Sequence, residues 1–140
     1  MTLLAIAGAT IFTLLALLHV TWAFSDRAPG AVVPTRHDGQ PLFRPSRAQT
    51  LAVAAALTLA AYIVLERGGP GPGWLPPWAR AVGAWGLAMA MLARGIGDFR
   101  YVGLFKRHRD SAFARQDTRL FTPLVLVLAL VSGVIAARGR

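Results

Sequence analysis

Four long apolar stretches punctuate the chain, separated by segments rich in charge, glycine or proline. The first, from Thr2 to Trp22, contains no Asp, Glu, Lys or Arg. At ~1.5 Å rise per residue a helix of that length reaches about 31 Å, close to the ~30 Å hydrocarbon core of a bilayer. The second, residues 49–65, is short and alanine-rich. The third, residues 77–97, opens at Pro76-Pro77-Trp78, where proline suits a first helical turn, and is mainly apolar up to Ala93. The fourth covers residues 120–137. None alternates with period two, so barrel strands are excluded and helices are the only spanning structure left. The pattern predicts an all-α membrane protein, a compact antiparallel four-helix transmembrane bundle. Residues 1–140 form one domain, too short for a second.

Composition sharpens this picture. The chain is 55% hydrophobic and 15% charged, whereas soluble domains carry about 25% charged residues. Its net charge of +9 would suit nucleic acid, but such proteins space their apolar residues amphipathically. Unbroken apolar runs joined by basic segments point instead to a bilayer with anionic headgroups, and nucleic acid is excluded. There is no cysteine, which removes disulfides, thiol catalysis and iron–sulfur chemistry. The first stretch is expected to be retained. Ala23-Phe24-Ser25 resembles a cleavage site, but no basic residue precedes the run, and the run exceeds the ~7–15 residues of a signal peptide's apolar core.

The basic residues also predict orientation. Ten Lys and Arg lie between the first and second stretches and between the third and fourth, against four on the opposite side: Arg67, Arg80 near the start of the third stretch, Arg138 and Arg140. Positive loops stay inside, so the first and third connections are expected in the cytoplasm of a bacterial inner membrane, with both termini outside. Trp74 and Trp78 in GGPGPGWLPPW suit the outer interface. Small residues at four-residue spacing (Ala52, Ala56 and Ala60, then Gly86 and Ala90) are expected to let helices approach closely.

This topology gathers the ends of helices 1 and 3 and the start of helix 4. His19, Trp22 and Asp26 share a helical face, and so would Arg94, Asp98, Tyr101 and Phe105 if helix 3 continued. Arg94 and Asp98 are spaced for an i,i+4 ion pair, expected to be buried. His19 is expected to face helix 3 and to bind no metal, because carboxylates are scarce and His37 and His108 lie in loops. Gly95, Gly97 and Gly103 indicate close packing, a bend or exposed amides. Asp117 or Thr118 is placed to cap helix 4. The candidate ligand-binding residues are therefore His19, Trp22, Arg94, Asp98, Arg100, Tyr101, Lys106, Arg107 and Asp117. Nothing calls for a cofactor.

The strings LHVTW, GDFRYVGLFKR and FARQDTRLFTPL resemble a group of small bacterial membrane proteins known only as a domain of unknown function. The resemblance implies four transmembrane helices and an inner-membrane location, and it implies no activity. Three function classes remain. The first is a binding site for an anionic or amphipathic small molecule, or a lipid headgroup, at the cytoplasmic end. The second is a membrane enzyme acting on a lipid or isoprenoid, with His19 as acid/base oriented by Asp98 or Asp26. The third is an accessory subunit docking a protein partner, or a homo-oligomer. Transport is disfavoured because helix 1 contains no carboxylate.

Overall fold

The computed structural model describes residues 1–25, 32–36 and 38–139. These residues are helical throughout, apart from connections and an isolated bridge between Thr35 and Pro41. Helix α1 is Thr2–Ala23, α2 is Arg47–Gly68, α3 is Pro77–Ile96 and α4 is Ala112–Arg138. Of the four, α1, α2 and α4 are long and apolar enough to cross a membrane.

Local chemistry explains each boundary. Ser46 and Gln49 form a reciprocal capping box that starts α2 at Arg47 rather than Gln49. Gly69, at φ 108°, ends α2 in the left-handed conformation that side chains disfavour. Pro77 opens α3. Helix α4 begins at Ala112 rather than Leu120 because Ser111 Oγ accepts the Ala114 N–H at 3.0 Å. This overturns the expected cap at Asp117 or Thr118, which lie inside the helix. Within α4, residues Asp117–Phe121 form one π turn, closed by the Thr122 N–H on the Asp117 carbonyl. Pro123 comes immediately after; it lacks an N–H and crowds the carbonyl four residues back, which disfavours a regular α register there.

Helix α1 packs mainly on α2, and α3 mainly on α4, while the α1 and α3 backbones make no close approach. Small residues mediate both pairings. A Cβ at Gly68 would collide with Ala5, one at Gly95 with Leu126, and Gly133 lies against Ala88. The expected stripe is therefore corrected. Ala60 is buried, but Ala52, Ala56 and Ala90 are exposed and Gly86 faces open space; Ala54, Ala61, Val64 and Gly68 carry the α2 contact instead. Phe12, Leu128 and Ile135 supply the largest apolar side chains at the centre. Thr13 and Thr58 donate to carbonyls four residues back, so these hydroxyls need no partner on another helix.

The second connection is organised by a residue the sequence pattern did not single out. Glu66 is buried at the end of α2, and its carboxylate accepts the N–H groups of Gly73, Trp74 and Leu75 and the Tyr62 hydroxyl. This folds the Gly/Pro segment back over the helix end and leaves Trp74 and Trp78 exposed.

Candidate functional site

Helix α3 stops at Ile96, and the shape of the next connection depends on that stop. Gly97 sits at φ 91° and Gly103 at φ 87°, and the two backbones pass so closely that a Cβ on Gly97 would collide with the Val102 carbonyl. The chain thus reverses. The Leu104 N–H returns to the Gly95 carbonyl at 2.9 Å and the Phe105 N–H to Ile96 at 3.5 Å. Inside the reversal, Asp98 Oδ1 accepts the N–H groups of Arg100, Tyr101 and Val102 at 2.7–2.9 Å.

Asp98 is therefore an exposed organiser of a loop, and the expected buried pair with Arg94 is not formed. The i,i+4 argument required a helix through residue 98, and Gly97 ends it. The proposed shared face of Arg94, Asp98, Tyr101 and Phe105 disappears for the same reason. Partial desolvation raises the Asp98 carboxyl pKa, but the three N–H donors outweigh it and hold it below 3.8. A depressed carboxylate stabilises the fold above its unfolded pKa, and that contribution fades as pH falls through the lower folded value. We expect amide exchange at residues 100–102 to accelerate selectively below pH 3.8 while the helices stay protected. Exchange independent of pH in that window, after correction for intrinsic rates, would show that Asp98 does not hold the loop.

The partner of Arg94 is Asp117. Arg94 Nη2 donates to Asp117 Oδ1 at 2.8 Å, and Lys106 Nζ donates to Oδ2 at 2.9 Å. The Gly103 N–H and the Thr122 hydroxyl complete the set on Oδ2, each at 3.0 Å. Lys106 also donates to the Gly103 carbonyl at 3.0 Å. Side-chain exposure is 0% for Asp117, 3% for Lys106 and 34% for Arg94. Three elements therefore close on one carboxylate: the end of α3, the returning loop and the π turn of α4. Two cations against one anion leave this knot with a net positive charge. Arg94 Nη1 is buried without a hydrogen-bond partner among the described residues.

The remaining candidates fall in two other places. Arg100 lies over the Tyr101 ring at 5.3 Å, Tyr101 stacks on His108 at 4.6 Å, and the Arg100 carbonyl accepts N–H groups of Arg107 and His108. Arg107 is exposed beside them. His19 and Trp22 lie elsewhere, at the end of α1, with ring centroids 5.0 Å apart. They line a cavity of about 970 Å³ between α1, the first connection and the start of α2, shared with Val33, Phe43, Arg44 and Arg47. His19 therefore faces this cavity rather than helix α3. Its Nδ1 lies 2.7 Å from the Leu15 carbonyl. A carbonyl can only accept, so Nδ1 carries the proton in this contact. Asp98 is occupied by its loop, and Asp26 lies outside the described residues, so no carboxylate orients His19 among those described.

No three His, Cys, Asp or Glu side chains gather in metal-binding geometry among the described residues. A cavity of about 430 Å³, lined by Arg36, His108, Arg109 and Ser111, joins the first connection to the third. Sequence reasoning missed Arg44 and Arg47 as cavity residues. Their signal was the cluster RPSR immediately before a capping residue's helix, where cations and the helix N-terminus coincide.

A family model described as "Protein of unknown function (DUF3995)" matches residues 12–132. The chain belongs to this family. The family match covers α1 from Phe12, both cavities and the whole Asp117 knot, so the candidate site lies inside the family domain and not in an appendage. No curated protein and no solved structure matches the chain.

Proposed function

We propose that the chain crosses a bacterial inner membrane four times as a compact antiparallel bundle and binds an amphipathic anion at its cytoplasmic end. The α1–α2 cavity is the binding site. Its occupant is a molecule with an apolar chain and a phosphate or carboxylate head, of the kind a lipid or lipid precursor supplies. The observation that carries this reading is the cavity itself. At about 970 Å³ it lies in the ~300–1,000 Å³ range of small-molecule sites. Its walls are largely apolar, Arg44 and Arg47 stand at the start of α2, and no carboxylate lines it among the described residues. The N-terminal dipole of α2 adds to the same positive field.

Several observations support the membrane part. Three helices have spanning length and apolarity. The fourth span is α3, 20 residues long, whose Arg94 is paired with Asp117 and so is not left bare in lipid. Ala5 at the start of α1 lies against Gly68 at the end of α2, and along α3 and α4 the contacts Ala88–Gly133 and Gly95–Leu126 run in opposite order, as in antiparallel neighbours. The excess of Lys and Arg in the first and third connections orients them inward. A C-terminal alkaline phosphatase fusion should then be active and a green fluorescent protein fusion dark; the opposite pattern would reverse the orientation.

Binding is tested with dodecyl phosphate added to protein in a non-ionic detergent and followed by native mass spectrometry. One molecule should bind per chain. A charge-assisted hydrogen bond contributes about 1.5–3 kcal/mol, so Arg44→Ala with Arg47→Ala should weaken binding at least ~10-fold. Equal affinity in wild type and the double variant would overturn the assignment of this cavity.

A further inference from the structure

The α3–α4 connection carries three large apolar side chains that the described residues leave at least half exposed. Phe99 is 57% exposed, Leu104 50% and Phe105 59%. The Phe99 and Phe105 rings lie 6.1 Å apart, and Leu104 adjoins Phe105 in the chain. Phe99 is held at φ 59°, the only non-glycine residue with positive φ among those described. Hydrophobic collapse does not explain this arrangement, because collapse would turn the rings inward. The reversal at Gly97 and Gly103 holds them out.

Their depth is set by the backbone. The N–H groups of residues 104 and 105 donate to the Gly95 and Ile96 carbonyls, which point out of the end of α3, so these residues cap that end and lie within one hydrogen bond of the last turn. Counting 20 residues from Pro77 at ~1.5 Å each, that turn lies about 30 Å from the opposite face, at the edge of the hydrocarbon. Exposed Arg100 and Arg107 flank the patch. Backbone amides that could not be bare at that depth are occupied: Leu104 and Phe105 by α3 carbonyls, and residues 100–102 by Asp98.

We propose that this connection is an interfacial plate: Phe99, Leu104 and Phe105 insert among the acyl chains of the cytoplasmic leaflet, while Arg100 and Arg107 hold anionic headgroups around them. The proposal rests on the membrane-spanning reading but not on the α1–α2 cavity. A protein partner would have to approach a patch level with the end of a spanning helix, whereas the leaflet is already there. The apolar-plus-basic pairing is what anionic lipid recognises.

The chain contains no cysteine, so single nitroxide labels can be placed without background. Phe99→Cys, Leu104→Cys and Phe105→Cys are labelled in phosphatidylglycerol-containing vesicles, with Leu130→Cys as a lipid-facing control and Asp110→Cys as a loop control. Collisions with oxygen should exceed collisions with a water-soluble nickel chelate at the three plate positions and at residue 130, with the reverse at residue 110. If residue 130 reads as lipid and the plate positions read as water, the plate is wrong and the spanning bundle stands. If residue 130 also reads as water, the spanning reading itself fails. In the unlabelled protein, Arg100→Ser with Arg107→Ser should reduce the preference of shell lipids for phosphatidylglycerol over phosphatidylcholine severalfold; an unchanged preference would remove the arginines from the proposal.

Discussion

Asp117→Asn should be the most damaging single exchange of a polar group in this protein. It leaves the side chain's shape almost unchanged and removes the charge that Lys106 and Arg94 share. Breaking a buried ion pair by deleting one partner costs about 3–5 kcal/mol, because the survivor remains uncompensated. Lys106 carries most of that loss, being nearly inaccessible, whereas water reaches part of Arg94. Unfolding in detergent, followed by denaturant or heat, should show it directly. Asp98→Asn should cost much less, since an amide oxygen can still accept N–H groups in an exposed loop, and Asp110→Asn should be neutral. Asp117→Asn combined with Lys106→Met should lose less than the sum of the two single exchanges, because the buried ammonium is then gone and only the partly exposed Arg94 is left without its anion. If Asp117→Asn unfolds like wild type, the knot is not what joins α3 to α4.

Gly97→Ala should be comparably severe, for a steric reason. At φ 91° a side chain is strained wherever it sits, and here the new Cβ would also meet the Val102 carbonyl. That obstacle is backbone belonging to a loop held by Asp98, so it cannot rotate aside. Strain of this type costs about 1–3 kcal/mol by itself, and the displaced loop adds the loss of the Gly103 N–H from Asp117. The total should reach roughly 3 kcal/mol or more. Gly86→Ala, facing open space on a regular helix, should be neutral or slightly stabilising by the same assay. Equal stability of Gly97→Ala and Gly86→Ala would mean the reversal does not need glycine.

The contrast between Asp98 and Asp117 shows what was legible in the sequence. The long helices were legible, because their apolar runs carry no period-two alternation and prolines and glycines mark their ends; three of them have the length and apolarity to cross a membrane. Arg94 was legible as a cation needing a partner. The identity of the partner was not, since i,i+4 spacing has meaning only while the helix lasts, and one glycine at residue 97 ends it. The same glycines did announce tight packing at that place. Asp117 appeared as a cap because the apolar run starts three residues later; Ser111, further upstream in a polar segment, gave no comparable signal. Glu66 was invisible for a different reason. Its partners are backbone amides of a Gly/Pro segment, and amides leave no trace in residue type. His19 and Trp22 were grouped correctly with each other, because one helix holds both. Their distance from α3 is a property of helix pairing, which no local pattern encodes.

The π turn of α4 has a consequence for which length changes the chain can accept. One extra residue between Asp117 and Thr122 is accommodated as a wider turn, and it rotates the start of α4 by about 100° relative to a continuous α-helix. Only in that phase does the Asp117 carboxylate reach Arg94 and Lys106 while Leu128 and Ile135 still face the core. A deletion at Arg119 or Leu120 would restore a regular helix and swing the carboxylate away from both cations. The segment therefore behaves as a phase lock: among descendants of this chain the residue count between Asp117 and Thr122 cannot drift without parting the carboxylate from its two cations.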